Sequence, residues 1–166
     1  RAAISEEPAY QYVSAGQALA AVGEWNLAGY AFEKATILRE DYQEAWIYWG
    51  EALQHIAEPA EDALEILETG LALDPESPLA NMFLGIYWQR DGSHLTALEY
   101  FERVEKAWPE NPEVLVESGK SLAALAEMEQ AMEKFQGAVD LAPLDPVYYL
   151  ELAEFCLGYA YQVKEA

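Results

Sequence analysis

The chain has 166 residues, 52% hydrophobic and 13% aromatic, so it carries enough apolar material for a packed core despite its acidity. Thirty acidic against nine basic residues give a formal net charge of −21, which repels phosphate backbones and anionic lipid heads and argues against nucleic acid as a partner. No apolar run approaches the roughly 18 residues that cross a bilayer and no basic-then-apolar leader is present, so a soluble chain without membrane insertion is expected, with the cytoplasm as default compartment.

Residues 1–7 lie outside any regular pattern, and Arg at position 1 is expected of a piece, or a processed product, of a longer protein. Apolar residues at helical spacing then predict helices over 8–22 and 24–38, 43–56 and 59–73, 78–91 and 93–107, 112–125 and 127–141, and 146–163. Ser77-Pro78, Asn111-Pro112 and Asp145-Pro146 each put a side-chain cap before a proline that needs no N–H in the first turn. Glu58-Pro59 and Ser93 read as starts of the same kind, and Asp41 with Glu44 has the form of a capping box. No linker or composition break interrupts the chain, so residues 8–166 are expected to form one domain.

A period of about 34 residues overlies these helices. Gly16, Gly50, Gly85, Gly119 and the small Ala153 follow one another at separations of 34, 35, 34 and 34. In phase with them come Ala28, Ala63, Ala97 and Ala131, then Phe32, Leu67, Phe101 and Phe135, then Glu40, Pro75, Pro109 and Pro143. The chain thereby resembles the tetratricopeptide repeat family over almost its whole length, with Asn81 and Leu115 in place of an aromatic, Glu40 in place of a proline, and one inserted residue near Glu58. The resemblance implies an all-α, right-handed superhelical solenoid of antiparallel helix pairs. Its repeats would span 9–42, 43–77, 78–111 and 112–145, with a terminal helix over 146–163. The small residues would let paired helices approach closely.

Catalytic chemistry is not evident, and an enzyme is not expected. His55 and His94 fall in different repeats without metal-ligand spacing, and no serine or cysteine stands beside a plausible base, so no catalytic residue, metal or cofactor is assigned. Cys156, the only cysteine, occupies a repeat position that packs inward and reads as a small core residue. The carboxylates of Glu61, Asp62, Glu65 and Glu68, and of Glu99, Glu102 and Glu105, read as a solvated outer face, with an acidic docking face as the alternative.

In the family, the first helix of each pair lines an inner groove that holds peptides of partner proteins. Transferred by position, the resemblance implies a groove of Val13, Gln17, Ile47, Tyr48, Glu51, Leu79, Met82, Phe83, Ile86, Val116, Glu117, Lys120 and Leu150. The basic and asparagine residues that family members use to grip acidic tails are absent: Val13, Gln17, Tyr48, Leu79 and Phe83 stand there. Glu44, Glu51, Glu113, Glu117, Glu151 and Glu154 point instead to a ligand with basic residues around apolar anchors. The alternative is that Val13, Ile47, Met82, Val116 and Leu150 form a ladder that packs on itself. The last helix is apolar all round, which marks Tyr149, Phe155 and Tyr159 as candidates for self-association into a homodimer. Three functions follow: a peptide- or protein-binding scaffold first, a self-assembly module second, and an accessory domain of a larger enzyme third.

Overall fold

The computed structural model describes the backbone of residues 8–56 and 61–165, and the side chains of all of these but 61 and 161–165. Among the described residues there are nine helices and no strand: α1 (Pro8–Ala21), α2 (Trp25–Leu38), α3 (Gln43–Ile56), α4 (Glu61–Leu73), α5 (Pro78–Arg90), α6 (His94–Ala107), α7 (Pro112–Ala124), α8 (Met128–Leu141) and α9 (Pro146–Glu165). This is an all-α helical repeat fold, and its helices begin and end within about two residues of the predicted bounds.

The helix starts divide by chemistry. Asn111 Oδ1 accepts from the Glu113 N–H at 2.9 Å, Asp145 Oδ1 from Val147 N–H at 3.0 Å, and Ser77 Oγ from Ala80 N–H at 3.3 Å. These three caps satisfy donors that a helix leaves unpaired at its start. Two other expected caps are corrected. The Ser93 hydroxyl donates to Asp91 and makes no cap bond, and Asp41 pairs with Arg39 at 3.0 Å while Tyr42 stands directly before α3. In both cases a charged neighbour competes successfully for the side chain. The Glu58-Pro59 start lies outside the described residues.

The chain groups into two compact units, residues 1–87 and 88–166. In the first, α1 packs on α2, α2 on α3 and α3 on α4, and α1 also touches α3. Val13, Ala28, Phe32, Ala35, Ala45 and Ala52 form its core, with Trp25, Tyr42, Tyr48 and Trp49 packed around them. The preponderance of alanine brings backbones close, while Phe32, 1% exposed, fills the space between them and contributes about 1.5–3 kcal/mol by burial. In the second unit α6 packs on α7, α7 on α8 and α8 on α9, with α7 also touching α9. Its core gathers Val116, Leu122, Ala131, Phe135 and Ala138, flanked by Leu115, Tyr148, Leu152 and Phe155.

The recurring glycines have a direct cause. A Cβ at Gly16 would lie 2.5 Å from the Phe32 ring, one at Gly50 2.6 Å from Leu67, and one at Gly119 3.0 Å from Phe135. Each glycine therefore receives the large residue of the second helix of its own hairpin. The hairpin turns recur too: Gly23, Gly92 and Ala126 adopt φ of 80°, 84° and 63°, and only Ala126 bears the strain of a side chain there.

Side chains close the joints between elements. Gln43 Nε2 donates to the carbonyls of Gly70 and Asp74 at 3.0 and 3.2 Å, which satisfies the end of α4 from the start of α3. Buried Asn81, at a position where an aromatic was expected, donates to the carbonyls of Pro75 and Ser77. Where Glu40 replaces a turn proline, the Trp46 indole N–H donates to its carbonyl at 2.8 Å.

Candidate functional site

The two readings of the apolar ladder separate once burial is known. Val13, Ile47, Met82 and Val116 are buried, whereas Leu150 is 59% exposed. Ile47 fills the slot that Gly70 leaves open, since a Cβ on Gly70 would stand 2.5 Å from its Cδ1. Val13 belongs to the core around Phe32, and Val116 to the core around Phe135. These four side chains are packing residues in this conformation.

In the first unit the remaining candidates stay accessible. Gln17 is exposed, and Tyr48, Glu51, Leu79, Phe83 and Ile86 are half-buried. Leu79, Phe83 and Ile86 follow at i, i+4 and i+7 and so share one face of α5. Tyr48 lies between the rings of Phe32 and Phe83, at centroid distances of 5.5 and 6.2 Å, with Phe83 edge-on. The result is a partly open aromatic and aliphatic strip on consecutive first helices.

A cluster at one end of this unit escaped sequence reasoning. Tyr10 and Tyr42 rings sit 4.8 Å apart, and the Arg39 guanidinium lies 5.5 Å from each centroid. Arg39 also donates to Tyr10 Oη at 2.9 Å, and Asp41 followed by Tyr10 raises its pKa above the ordinary arginine value. Burial, with the Glu44 charge second, likewise raises the Tyr42 phenol. The only sequence signal was a tyrosine shared by two helix starts.

In the second unit, charge organises the wall. Lys120 donates to Glu117 at 3.0 Å and to Glu151 at 3.2 Å, tying α7 to α9. Burial acts to lower its pKa, but the two carboxylates outweigh that and the net shift is upward. Glu117 and Glu151 thus face an internal cation, and Glu44, Glu113 and Glu154 are the exposed carboxylates of the expected set. Gln89 donates to the Glu117 carbonyl and to Ser121 Oγ, both at 2.9 Å. Tyr148 is pushed up by burial and by the charges of Glu113 and Asp145.

On α9, Tyr149 and Tyr159 are exposed, but Phe155 is half-buried and stacks on Phe135 of α8 at 4.9 Å. Cys156, expected in the core, is half-buried, because among the described helices only α7 and α8 pack on α9. The acidic outer face is as expected at Asp62, Glu65, Glu68, Glu99 and Glu102, all exposed. Glu105 departs from it: it accepts from Ser118 Oγ at 2.8 Å and pairs with Lys134. His55 stacks on Trp25 at 3.8 Å, and no group of three or more His, Cys, Asp or Glu able to hold a metal occurs among the described residues. No described helix is long and apolar enough to cross a membrane.

Comparison with known proteins agrees with this architecture. The tetratricopeptide repeat model matches residues 57–112 and 89–146. No curated protein matches the sequence. Among solved structures, PilF of Pseudomonas aeruginosa superposes with a TM-score of 0.80 at 20% identity, over 95% of this chain and 72% of PilF. MamA of Desulfovibrio magneticus RS-1, residues 41 to the end, gives 0.72 at 21% identity, over 93% of this chain and 86% of that one. YrrB, described as a TPR protein with an unusual peptide-binding site, gives 0.67 at 22% identity, covering 86% and 73%. With the match extending over more than half its residues and the glycine-to-aromatic register intact in both units, the chain belongs to the tetratricopeptide repeat family.

Proposed function

We propose that this chain is a protein-interaction scaffold that holds an extended or helical peptide against its first helices, and that it is not itself an enzyme. The observation that carries the reading is the half-exposed strip of Tyr48, Leu79, Phe83 and Ile86 in the first unit, apolar where water-facing helix surface is ordinarily polar. Gln17 and Glu51 border it in sequence register, and the net charge of −21 favours a ligand with basic residues around its apolar anchors. The peptide-binding site described for YrrB, a protein of similar fold, supports the same use of the scaffold. In the second unit Val147, Leu150 and Glu154 are the exposed counterparts.

Selection of displayed random peptides on the wild-type protein tests the proposal. Basic, apolar sequences are expected. Phe83→Ser should weaken them about tenfold or more, the loss typical of a central anchor, while leaving the helical circular dichroism unchanged. Failure to recover any binder, or equal binding to the variant, refutes the groove.

A second reading is self-association through α9, favoured by the exposure of Val147, Tyr149, Leu150, Leu157 and Tyr159. The stacking of Phe155 on Phe135 leaves it Tyr149 and Tyr159 as aromatic contacts.

A further inference from the structure

Internal repeats provide their own control for which surface residues the fold requires. On the outer face of α2, Leu27, Tyr30 and Ile37 are 54%, 56% and 62% exposed. The equivalent places in the other second helices hold Asp62, Thr96 and Gln130; Glu65, Glu99 and Glu133; and Ala72, Lys106 and Asp140. The same backbone position is therefore polar or small in every other repeat, and packing does not call for these three apolar groups. They follow at the 3-4-3 spacing of a helix-pairing seam, with Lys34 at the remaining place. Lys34 Nζ lies 5.0 Å over the Tyr30 ring.

We propose that this face of α2 is a self-association surface that pairs antiparallel with α2 of a second copy of the chain. Charge selects the occupant. Among the second helices α2 alone is neutral, with Glu33 against Lys34, whereas α4 carries Glu61, Asp62, Glu65 and Glu68 with no base, and α6 and α8 each carry three carboxylates against two and one bases. A basic partner is drawn to those acidic faces. The neutral face is where another strongly acidic body approaches at least cost, and a copy of this chain, at −21, is such a body. The register is also self-complementary. About a two-fold axis near residue 32, Leu27 meets Ile37 of the second copy, and each Tyr30 meets the other copy's Lys34, so cation and ring pair across the interface as they do within one helix. This surface uses residues distinct from those of the inner strip and competes with α9 as the site of self-association.

Sedimentation velocity over a concentration series to high micromolar, on the full chain, tests it. A reversible dimer is expected for the wild type. Tyr30→Glu with Ile37→Asp, the residues that repeat four carries there, should keep the helical spectrum and raise the dimer dissociation constant at least about tenfold. Tyr30→Lys alone should also weaken the dimer by setting lysines opposite one another, and adding Lys34→Tyr should restore it. Tyr159→Glu on α9 should leave it unchanged. A wild type monomeric throughout, a dimer that survives the α2 double variant, no rescue by the swap, or loss with Tyr159→Glu each overturns the proposal.

Discussion

Replacing a helix glycine by alanine should stabilise, leave unchanged or destabilise the fold according to what faces it, as two repeat glycines, Gly16 and Gly119, and the out-of-register Gly158 show. At Gly16 the new methyl would stand 2.5 Å from Phe32 Cε1 and 2.8 Å from two further ring atoms. The ring cannot swing away, since it is buried and the Tyr48 ring lies against it at 5.5 Å. Overpacking costs about 1–3 kcal/mol and a contact this short belongs in the upper part, about 2–3 kcal/mol, against which alanine recovers about 1 kcal/mol of helix propensity, so Gly16→Ala should lose about 1–2 kcal/mol. At Gly119 the closest ring atoms of Phe135 lie at 3.0 and 3.2 Å, a shift of a few tenths of an ångström suffices, and the two terms should cancel. At Gly158, within α9, nothing lies within 4 Å, and the substitution should gain about 0.5–1 kcal/mol. Thermal unfolding followed by circular dichroism reads this as midpoint changes of about 2–4 °C per kcal/mol for a chain of this size. A Gly16→Ala variant as stable as wild type, or a Gly119→Ala variant less stable than Gly16→Ala, would refute close packing of Phe32 on Gly16.

Ala126→Gly should raise the melting temperature, because relief of about 1–2 kcal/mol of left-handed strain exceeds the added freedom of the unfolded chain; a fall would show the turn to be unstrained. Asn111→Ala should cost about 1 kcal/mol in urea denaturation and Ser93→Ala only a few tenths, since Asn111 makes a cap bond and Ser93 makes none; equal losses would contradict the cap assignment. Lys120 has a raised pKa, so its stabilisation is intact below the ordinary lysine value and is lost as pH rises through the raised one. Unfolding midpoints above about pH 10 should therefore fall less steeply for Lys120→Met than for wild type, the phenols of Tyr42 and Tyr148 supplying the slope that remains.

Helix positions were legible in the sequence because their causes are local: proline after a capping residue, glycine in register with an aromatic, and a 34-residue period that repeats both. Ser93 and Asp41 show the limit, since each is a good cap by type but has a charged neighbour two residues away that takes its side chain. The inner wall was legible only as a set of candidates. Ile47 and Tyr48 are adjacent, yet one fills the Gly70 slot and the other reaches the surface, a distinction set by how closely α3 approaches α4. The pairing of Lys120 with Glu151 and of Gln89 with Ser121 joins residues 31 and 32 apart, nearly one repeat, and depends on the stacking angle rather than on any motif.

Among the described residues at least five cations are engaged within the molecule: Arg39 with Asp41, Lys120 with Glu117 and Glu151, Lys134 with Glu105, Lys34 and Arg103 over tyrosine rings. With a net charge of −21 the protein shows solution a strongly negative field. Added electrolyte, with a screening length of about 8 Å at physiological strength, acts on that field in two opposite ways. It relieves the self-repulsion of the folded chain and steadies it, while it slows the capture of any basic ligand that the field would otherwise gather. Fold and recognition in this protein should therefore have opposite salt optima.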